Sequence, residues 1–307
     1  MSLQDLVFPL IPRRRMVGLA YGAMHSARRG MGSDVAGSRP YRPGDDVDTI
    51  DWAASAKLSS ARDTEEFIVR EHYADEAPRV VIVCDRRPEM ALCPRELPWL
   101  RKYEAMALAA EIIAESTTKA QGFVGYLDFA SGEEPFWRPP ASGAEHWAIQ
   151  DRHLAWPDFK APQDTIERAL DFLGSSRRML PAGSFLFLLS DFLVPPSRDA
   201  WTRALELRWD LAPVVIQDPV WEASFPQVDG VVVPFADAEG NVRLVRLRRA
   251  EAERCRRENE ERRTRLLADL ESLGIEPILV SSTNREEVFR AFLAWSDERS
   301  FRRGHGG

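Results

Sequence analysis

From residue 79 onward the sequence alternates short apolar runs with longer amphipathic stretches. The runs Arg79–Cys84 and Ser184–Ser190 are almost continuously apolar, as strands buried on both faces of a parallel sheet are. Between such runs, stretches such as 97–119 carry their apolar residues at helical spacing. Strands that alternate with helices in this way predict βαβ units, and therefore an α/β fold with a mostly parallel sheet flanked by helices.

Acidic residues follow several of the predicted strands. Asp85 follows the first strand, Asp191 follows the strand at 184–190, and Asp218 comes directly after the strand at 212–217. In open parallel sheets the functional crevice lies outside the carboxyl ends of the strands. We therefore expect the functional surface of this domain at that edge of the sheet.

The length of 307 residues fits two domains or one large α/β domain. We divide the chain into an N-terminal element at 1–77, an α/β domain at 78–300 and a flexible tail at 301–307. Within the α/β domain, residues 228–247 are predicted to form an inserted β-hairpin that turns near Gly240.

The composition limits both the compartment and the partners. A formal charge of −7 argues against nucleic acid as a partner, because nucleic-acid-binding domains usually present a strongly basic face. Three cysteines without a CxxC pair fit a reducing compartment. No apolar stretch reaches the roughly 18 residues that span a membrane, and the basic residues follow the N-terminal apolar patch, unlike those of a signal peptide. We expect a cytoplasmic protein without a membrane span.

The segment 39–52 is dense with turn-forming residues and carboxylates. Its aspartates could build a hard-cation site, which would make the chain a metal-dependent hydrolase, although their spacing fails the calcium-loop template. Alternatively, they cap a helix that begins near 48–51 and pair with Arg39 and Arg42. The aspartates are Asp45, Asp46, Asp48 and Asp51.

The same segment resembles the signature of a bacterial family. Its elements are Tyr41, Arg42, Pro43, Gly44, Asp45 and Asp46, followed by Asp51 and Trp52. The family that it resembles is the domain-of-unknown-function family 58, whose members join this signature to a von Willebrand factor A-like domain and are linked with MoxR-type AAA+ ATPases. Leu189–Phe192 and Gln217–Pro219 also resemble motifs of this family, and the resemblance extends over residues 18–295.

This resemblance implies a von Willebrand A-like fold, in which an Asp and two hydroxyl side chains after the first strand contribute to a metal-ion-dependent adhesion site. Here Asp85 matches the Asp, but Arg87 and Glu89 stand at the two hydroxyl positions. A guanidinium has no acceptor atom and repels a divalent cation. We therefore expect no cofactor, because Arg87 disfavours Mg²⁺ at this site.

In place of the cation, we expect Arg87 or Arg86 to lie over the crevice and to pair with Asp85 or Asp191. From that position the guanidinium could hold a carboxylate of a partner in bidentate fashion. Alternatively, both arginines point to solvent.

By resemblance, the chain is a non-enzymatic interaction module that assists a MoxR-type ATPase in the maturation or assembly of another complex. The metal-dependent hydrolase is the alternative. The partner-binding crevice is predicted to consist of Asp85, Arg87, Glu89, Ser190, Asp191 and Asp218. The signature at 41–52 forms either a second binding surface or a brace at the domain junction.

Overall fold

The computed structural model describes residues 6–12, 35–41, 50–62, 67–72, 77–92, 99–142, 158–236 and 242–305. The chain divides into two compact units. Met16–Ala77 forms one, here called the N-terminal unit. Met1–Arg15 together with Pro78–Gly307 forms the other, here called the α/β unit.

The N-terminal unit contains a two-stranded antiparallel sheet and one helix. The strands are β1 (Val35–Pro40) and β2 (Ile68–His72), and the helix between them in sequence is α1 (Trp52–Arg62). The main chain continues the pairing just outside the strands, since the Tyr41 amide donates to the Phe67 carbonyl at 2.8 Å.

The α/β unit contains a six-stranded sheet. Its strands are β3 (Arg79–Cys84), β4 (Phe123–Asp128), β5 (Phe136–Ala141), β6 (Phe185–Ser190), β7 (Asp210–Ile216) and β10 (Ile278–Val280). They lie in the order β10-β7-β6-β3-β4-β5, and every neighbouring pair is parallel except β4 with β5. The predicted α/β class with a mostly parallel sheet is therefore confirmed.

The remaining elements are helices and one hairpin. The helices are α2 (Pro88–Ala91), α3 (Lys102–Lys119), α4 (Thr165–Ser175), α5 (Arg198–Glu206), α6 (Arg249–Ser272) and α7 (Arg285–His305), with a short 3-10 turn at Arg177–Met179. The hairpin is β8 (Val231–Ala236) paired antiparallel with β9 (Val242–Leu247), and its tip lies outside the described residues. Among the described residues, none of these helices is both long and apolar enough to cross a membrane.

The core lies on both faces of the sheet, because successive strand side chains point to opposite sides. Val80 and Ile82 of β3 belong to the cluster that also contains the buried faces of α3 and α7. Val81 and Val83 belong to the cluster formed with α4, α5 and the C-terminal half of α6. This two-sided burial explains why the strands read as continuous apolar runs rather than alternating patterns.

Residues 6–12 pack in the α/β unit, whereas the sequence-based division placed them with the rest of 1–77. The reason is Phe8, which is buried against the rings of Phe187, Phe292 and Trp295 at centroid distances of 4.9–6.2 Å. Polar contacts fix the same segment. Ser296 donates to the Pro9 carbonyl at 2.8 Å.

The flexible tail predicted at 301–307 also differs from the structure over 301–305, because α7 continues to His305, and residues 306–307 lie outside the described residues. Arg302 extends across two acidic side chains, with Nη1 at 2.8 Å from Glu276 and Nη2 at 2.5 Å from Glu298. The pair with Glu298 lies on the last turns of the helix and favours its continuation, and the pair with Glu276 fastens these turns to the segment before β10.

Replacing Phe8 tests whether the N-terminal segment is part of the core. We expect Phe8→Ala to lower the free energy of unfolding by about 3–5 kcal/mol, since a buried aromatic side chain leaves a cavity. Phe301→Ala is the control, because Phe301 is 68% exposed, and it should change stability by about 0.5 kcal/mol or less. Urea denaturation measures both variants, and equal effects would show that the segment does not contribute to the core.

Candidate functional site

Two neighbouring parallel strands bring carboxylates together at their carboxyl ends. Cys84 of β3 is paired with Leu189 of β6, so that Asp85 and the Ser190–Asp191 pair emerge side by side. The Asp85 amide donates to the Leu189 carbonyl at 2.9 Å, which extends the ladder by one bond. Asp85, Ser190 and Asp191 are all fully buried.

Arg87 lies between the two carboxylates. Its Nη2 atom is 2.7 Å from Asp85 Oδ2 and 2.5 Å from Asp191 Oδ1, and its Nε atom is 2.9 Å from Asp85 Oδ2. Ser190 donates its hydroxyl to Asp85 Oδ2 at 2.6 Å. A single guanidinium thus joins the ends of β3 and β6 through charge-assisted hydrogen bonds.

The local sequence explains how Arg87 reaches this position. Arg87 precedes Pro88, and proline favours an extended conformation in the residue before it. Arg87 accordingly has φ −65° and ψ 151°, and Pro88 begins α2. The Arg87 amide donates to Asp85 Oδ1 at 3.0 Å, so the Asp85 side chain closes a tight turn that directs the arginine back over the strand ends.

The pairing of Arg87 with Asp85 and Asp191 agrees with the sequence-based hypothesis. Arg87 is only 1% exposed and its Nε and Nη2 atoms donate to these two carboxylates, so the structure does not present the guanidinium to solvent. The alternative, in which both arginines point to solvent, is wrong. Arg86 is fully buried, stacks on Phe159 at 4.5 Å and donates to Asp128 at 3.2 Å.

A second cation, Lys102, was not identified from the sequence. Its Nζ atom is 2.7 Å from Asp191 Oδ2 and 2.6 Å from Glu222 Oε1, and the side chain is 2% exposed. A lysine in the first turn of a helix lies against the helix dipole. The sequence did not reveal this placement, because its helical pattern extends back to 97, whereas α3 begins at Lys102.

Asp218 has a different role from the paired carboxylates. It accepts main-chain hydrogen bonds from Leu100 at 2.6 Å, Val220 at 2.8 Å and Trp221 at 2.9 Å. Its own amide donates to Glu222 Oε2 at 2.9 Å. Asp218 therefore shapes the loop after β7 and holds Glu222 toward Lys102.

The loop after β6 is shaped in the same way. Leu193 donates its amide to Asp191 Oδ1 at 3.0 Å, and Phe192 donates its amide to Ser190 Oγ at 3.0 Å. Phe192 has a φ of +50°, a conformation that costs a non-glycine residue about 1–2 kcal/mol. The buried packing of its ring beside Trp201 offsets that strain.

Glu89, also predicted in the crevice, is half-buried and lies outside the ion pairs. Gln163 donates to Glu89 Oε1 at 2.6 Å, and Arg87 Nη1 is 3.4 Å from Gln163 Oε1. Glu89 is thus connected to Arg87 only through Gln163 among the described residues.

Burial and ion pairing act in opposite directions on the pKa values of these groups. Burial raises the pKa of Asp85, and the attraction of Arg87 only partly offsets it. Burial would also raise the pKa of Asp191, but Lys102 and Arg87 together outweigh it and lower that pKa. Burial acts to lower the pKa of Lys102, and the charges of Asp191 and Glu222 raise it above its ordinary value.

We call Asp85, Arg87, Lys102, Ser190, Asp191, Asp218 and Glu222 the ion network. The network does not fit a divalent cation, because Arg87 Nη2 lies between Asp85 and Asp191, the two carboxylates that would have to bind the ion. Elsewhere among the described residues, no group of three or more His, Cys, Asp or Glu side chains is arranged to hold a metal ion.

The described part of the 41–52 signature braces the N-terminal unit. Asp51 caps α1, since its Oδ1 accepts the Ala54 amide at 3.0 Å, and the cap expected from this segment is therefore present. Ser55 lies one turn further along α1 and accepts the Ile68 amide at 2.8 Å, which joins α1 to β2.

Trp52, another residue of the signature, is 60% exposed, with its ring centroid 5.9 Å from that of Phe67. Asp48 and five signature residues lie outside the described residues. The five are Arg42, Pro43, Gly44, Asp45 and Asp46.

The fold and the site together define an α/β protein whose parallel strand ends are joined by buried arginine and lysine side chains. The family model described as "Protein of unknown function DUF58" matches residues 37–266, and the chain belongs to this family. Uncharacterized proteins of Mycobacterium bovis and Mycobacterium tuberculosis are 26% identical to it over 237 residues, covering 76% of this chain and 69% of theirs.

Solved structures show distant similarity. BatB, a conserved hypothetical protein of Bacteroides thetaiotaomicron, is 14% identical with a TM-score of 0.42, and the match covers 73% of this chain and 99% of that one. An aerotolerance-related membrane protein of Bacteroides fragilis is also 14% identical with a TM-score of 0.42, over 72% and 99% of the two chains.

Removing Lys102 tests whether the ion network stabilises the fold. We expect Lys102→Met to cost about 3–5 kcal/mol, because it leaves Asp191 and Glu222 buried without their cation. The exposed Lys119→Met is the matched control and should cost about 0.5 kcal/mol or less.

The double variant Lys102→Met/Glu222→Gln should lose less stability than the sum of its two single variants, since it removes both charges of one pair. Thermal and urea denaturation measure the cycle. Equal losses for Lys102→Met and Lys119→Met would show that the network contributes no stability.

Proposed function

We propose that this chain is a non-enzymatic protein-interaction module whose α/β unit is von Willebrand A-like and carries a degenerate metal-ion-dependent adhesion site. One observation carries the proposal. Arg87 Nη2 lies within 2.7 Å of both Asp85 and Asp191 at the carboxyl ends of β3 and β6, where such a site would hold its cation. The guanidinium supplies a fixed positive charge in that place.

The state of the carboxylates supports a non-enzymatic role. A general base needs a carboxylate oxygen within reach of its substrate. Both carboxylates joined by Arg87 are fully buried, and Arg87, Ser190 and Lys102 donate to them from fixed positions. No observation among the described residues favours the hydrolase alternative, since Asp51 caps a helix and the other three aspartates lie outside that part of the chain.

A MoxR-type AAA+ ATPase is the proposed partner, by the resemblance stated above, and the proposed task is assistance in the assembly or maturation of another complex. Because Arg87 is buried, the partner has to contact the loops above it. We call residues 192–196 and 218–222 the carboxyl-edge loops. They expose Val194 and Val220, at 45% and 47%, at the end of the sheet where the ion network lies.

Recovery of the MoxR-type ATPase of the same organism by the tagged protein tests this function. We expect Val194→Asp and Val220→Asp each to reduce recovery about tenfold or more, because a carboxylate would be buried in an apolar contact. Met179→Asp is the matched control, since Met179 is 50% exposed and precedes β6 at the opposite end of that strand.

The control should recover as much ATPase as the unmodified protein. Failure of the unmodified protein to recover the ATPase, or equal recovery by all variants, would contradict the proposed function.

A further inference from the structure

We infer that the carboxyl-edge loops recognise a lysine or arginine side chain of the partner, and that this cationic residue is flanked by apolar residues. The inference rests on the proposed function, because it names the partner's chemistry at the same surface. It follows from the charge of the ion network, from one buried acceptor and from the two exposed valines.

The ion network carries more negative than positive charge. It contains four carboxylates but only two cations, Arg87 and Lys102. The carboxylates are Asp85, Asp191, Asp218 and Glu222. Arg262 approaches from outside and donates to the main-chain carbonyl of Glu222 at 3.0 Å. Even when Arg262 is counted, four carboxylates face three cations, so the carboxylates outnumber the cations by one.

Gln217 supplies an independent observation that points to a hydrogen-bond donor. It ends β7 beside the network and is 3% exposed, and its Nε2 atom donates to the Asp191 carbonyl at 2.7 Å. Its Oε1 atom is buried and has no donor among the described residues. A buried acceptor without a donor is unfavourable, and an ammonium or guanidinium N–H of a ligand would satisfy it.

Glu222 is the member of the network nearest the surface. It is 7% exposed, whereas Asp85 and Asp191 are fully buried. Its Oε1 atom accepts from Lys102 and its Oε2 atom from the Asp218 amide, and each carboxylate oxygen can accept a further hydrogen bond. Burial raises the pKa of Glu222 despite Lys102, so an added cation would stabilise its charged form.

The exposed valines specify what flanks the cation. Val194 and Val220 follow the neighbouring strands β6 and β7, so both lie at the same end of the sheet. Their backbones are held in place, because the adjacent Leu193 amide and the Val220 amide bind Asp191 and Asp218. Two fixed apolar side chains near a negative site fit apolar residues on either side of a lysine or arginine.

An acidic partner residue fits this surface poorly. The cations of the network are 1% and 2% exposed and already pair with Asp85, Asp191 and Glu222. A partner's carboxylate would therefore meet Glu222 without a free cation in the network, which is unfavourable for two like charges.

Titration with blocked tripeptides, followed by NMR of the backbone amides, tests the inference directly. The probes are leucine–lysine–leucine and two matched controls, in which glutamate or norleucine replaces the lysine. We expect the lysine peptide to shift the amides of Leu193, Val194, Val220 and Trp221 in a saturable manner, and the controls to leave them unchanged.

Two variants examine the site from the protein side. Glu222→Gln should raise the Kd of the lysine peptide about tenfold, through loss of one charge-assisted hydrogen bond. Because Glu222 also pairs with Lys102, Val220→Ser is the second variant. It leaves every network side chain in place and should also weaken binding, while Met179→Ser should not.

Several results would overturn the inference. They are equal binding of the lysine and norleucine peptides, preferred binding of the glutamate peptide, shifts confined to other surfaces, and the absence of saturable binding. If Val220→Asp loses the ATPase while the peptides do not differ, the inference fails and the proposed function stands. If the lysine peptide binds as expected but the ATPase is not recovered, the proposed function fails instead.

Discussion

The position of the Arg87 guanidinium between Asp85 and Asp191 is the interaction on which the rest of the site depends. Parallel strands bring their carboxyl ends to one edge, and here that edge contains buried carboxylates from neighbouring strands. Buried carboxylates without a counter-charge are strongly unfavourable. Arg87 and Lys102 supply that counter-charge. Arg87 joins the ends of β3 and β6, and Lys102 adds the loop after β7 through Glu222.

The same interaction determines the shape of the surface above it. Asp191 uses one oxygen for Arg87 and the Leu193 amide and the other for Lys102, so pairing and loop conformation depend on each other. Asp218 connects the next loop to Glu222 in a similar way. A change in the buried charges is therefore expected to alter the conformation of the carboxyl-edge loops, although Glu222, the most exposed charged side chain of the network, is only 7% exposed.

The sequence predicted those features that depend on local pattern. Continuous apolar runs identified the sheet, and the family resemblance led to the hypothesis that Arg87 or Arg86 pairs with Asp85 or Asp191. Lys102 and Glu222 were missed because their contacts are distant in the sequence. Lys102 lies 89 residues from Asp191 and 120 residues from Glu222, and no periodicity encodes such contacts. Burial of Arg87 was also missed, since arginine is rarely fully buried and was expected at a rim.

We propose that the Arg87 guanidinium stands where a von Willebrand A-like site would hold a divalent cation. Isothermal titration with Mn²⁺ of the unmodified protein and of the Arg87→Ser/Glu89→Ser variant measures whether the guanidinium excludes the ion. Only the variant should bind Mn²⁺, because it exchanges a repulsive cation for hydroxyl ligands near Asp85. Binding of Mn²⁺ by the unmodified protein that is lost in Asp85→Ala would contradict it.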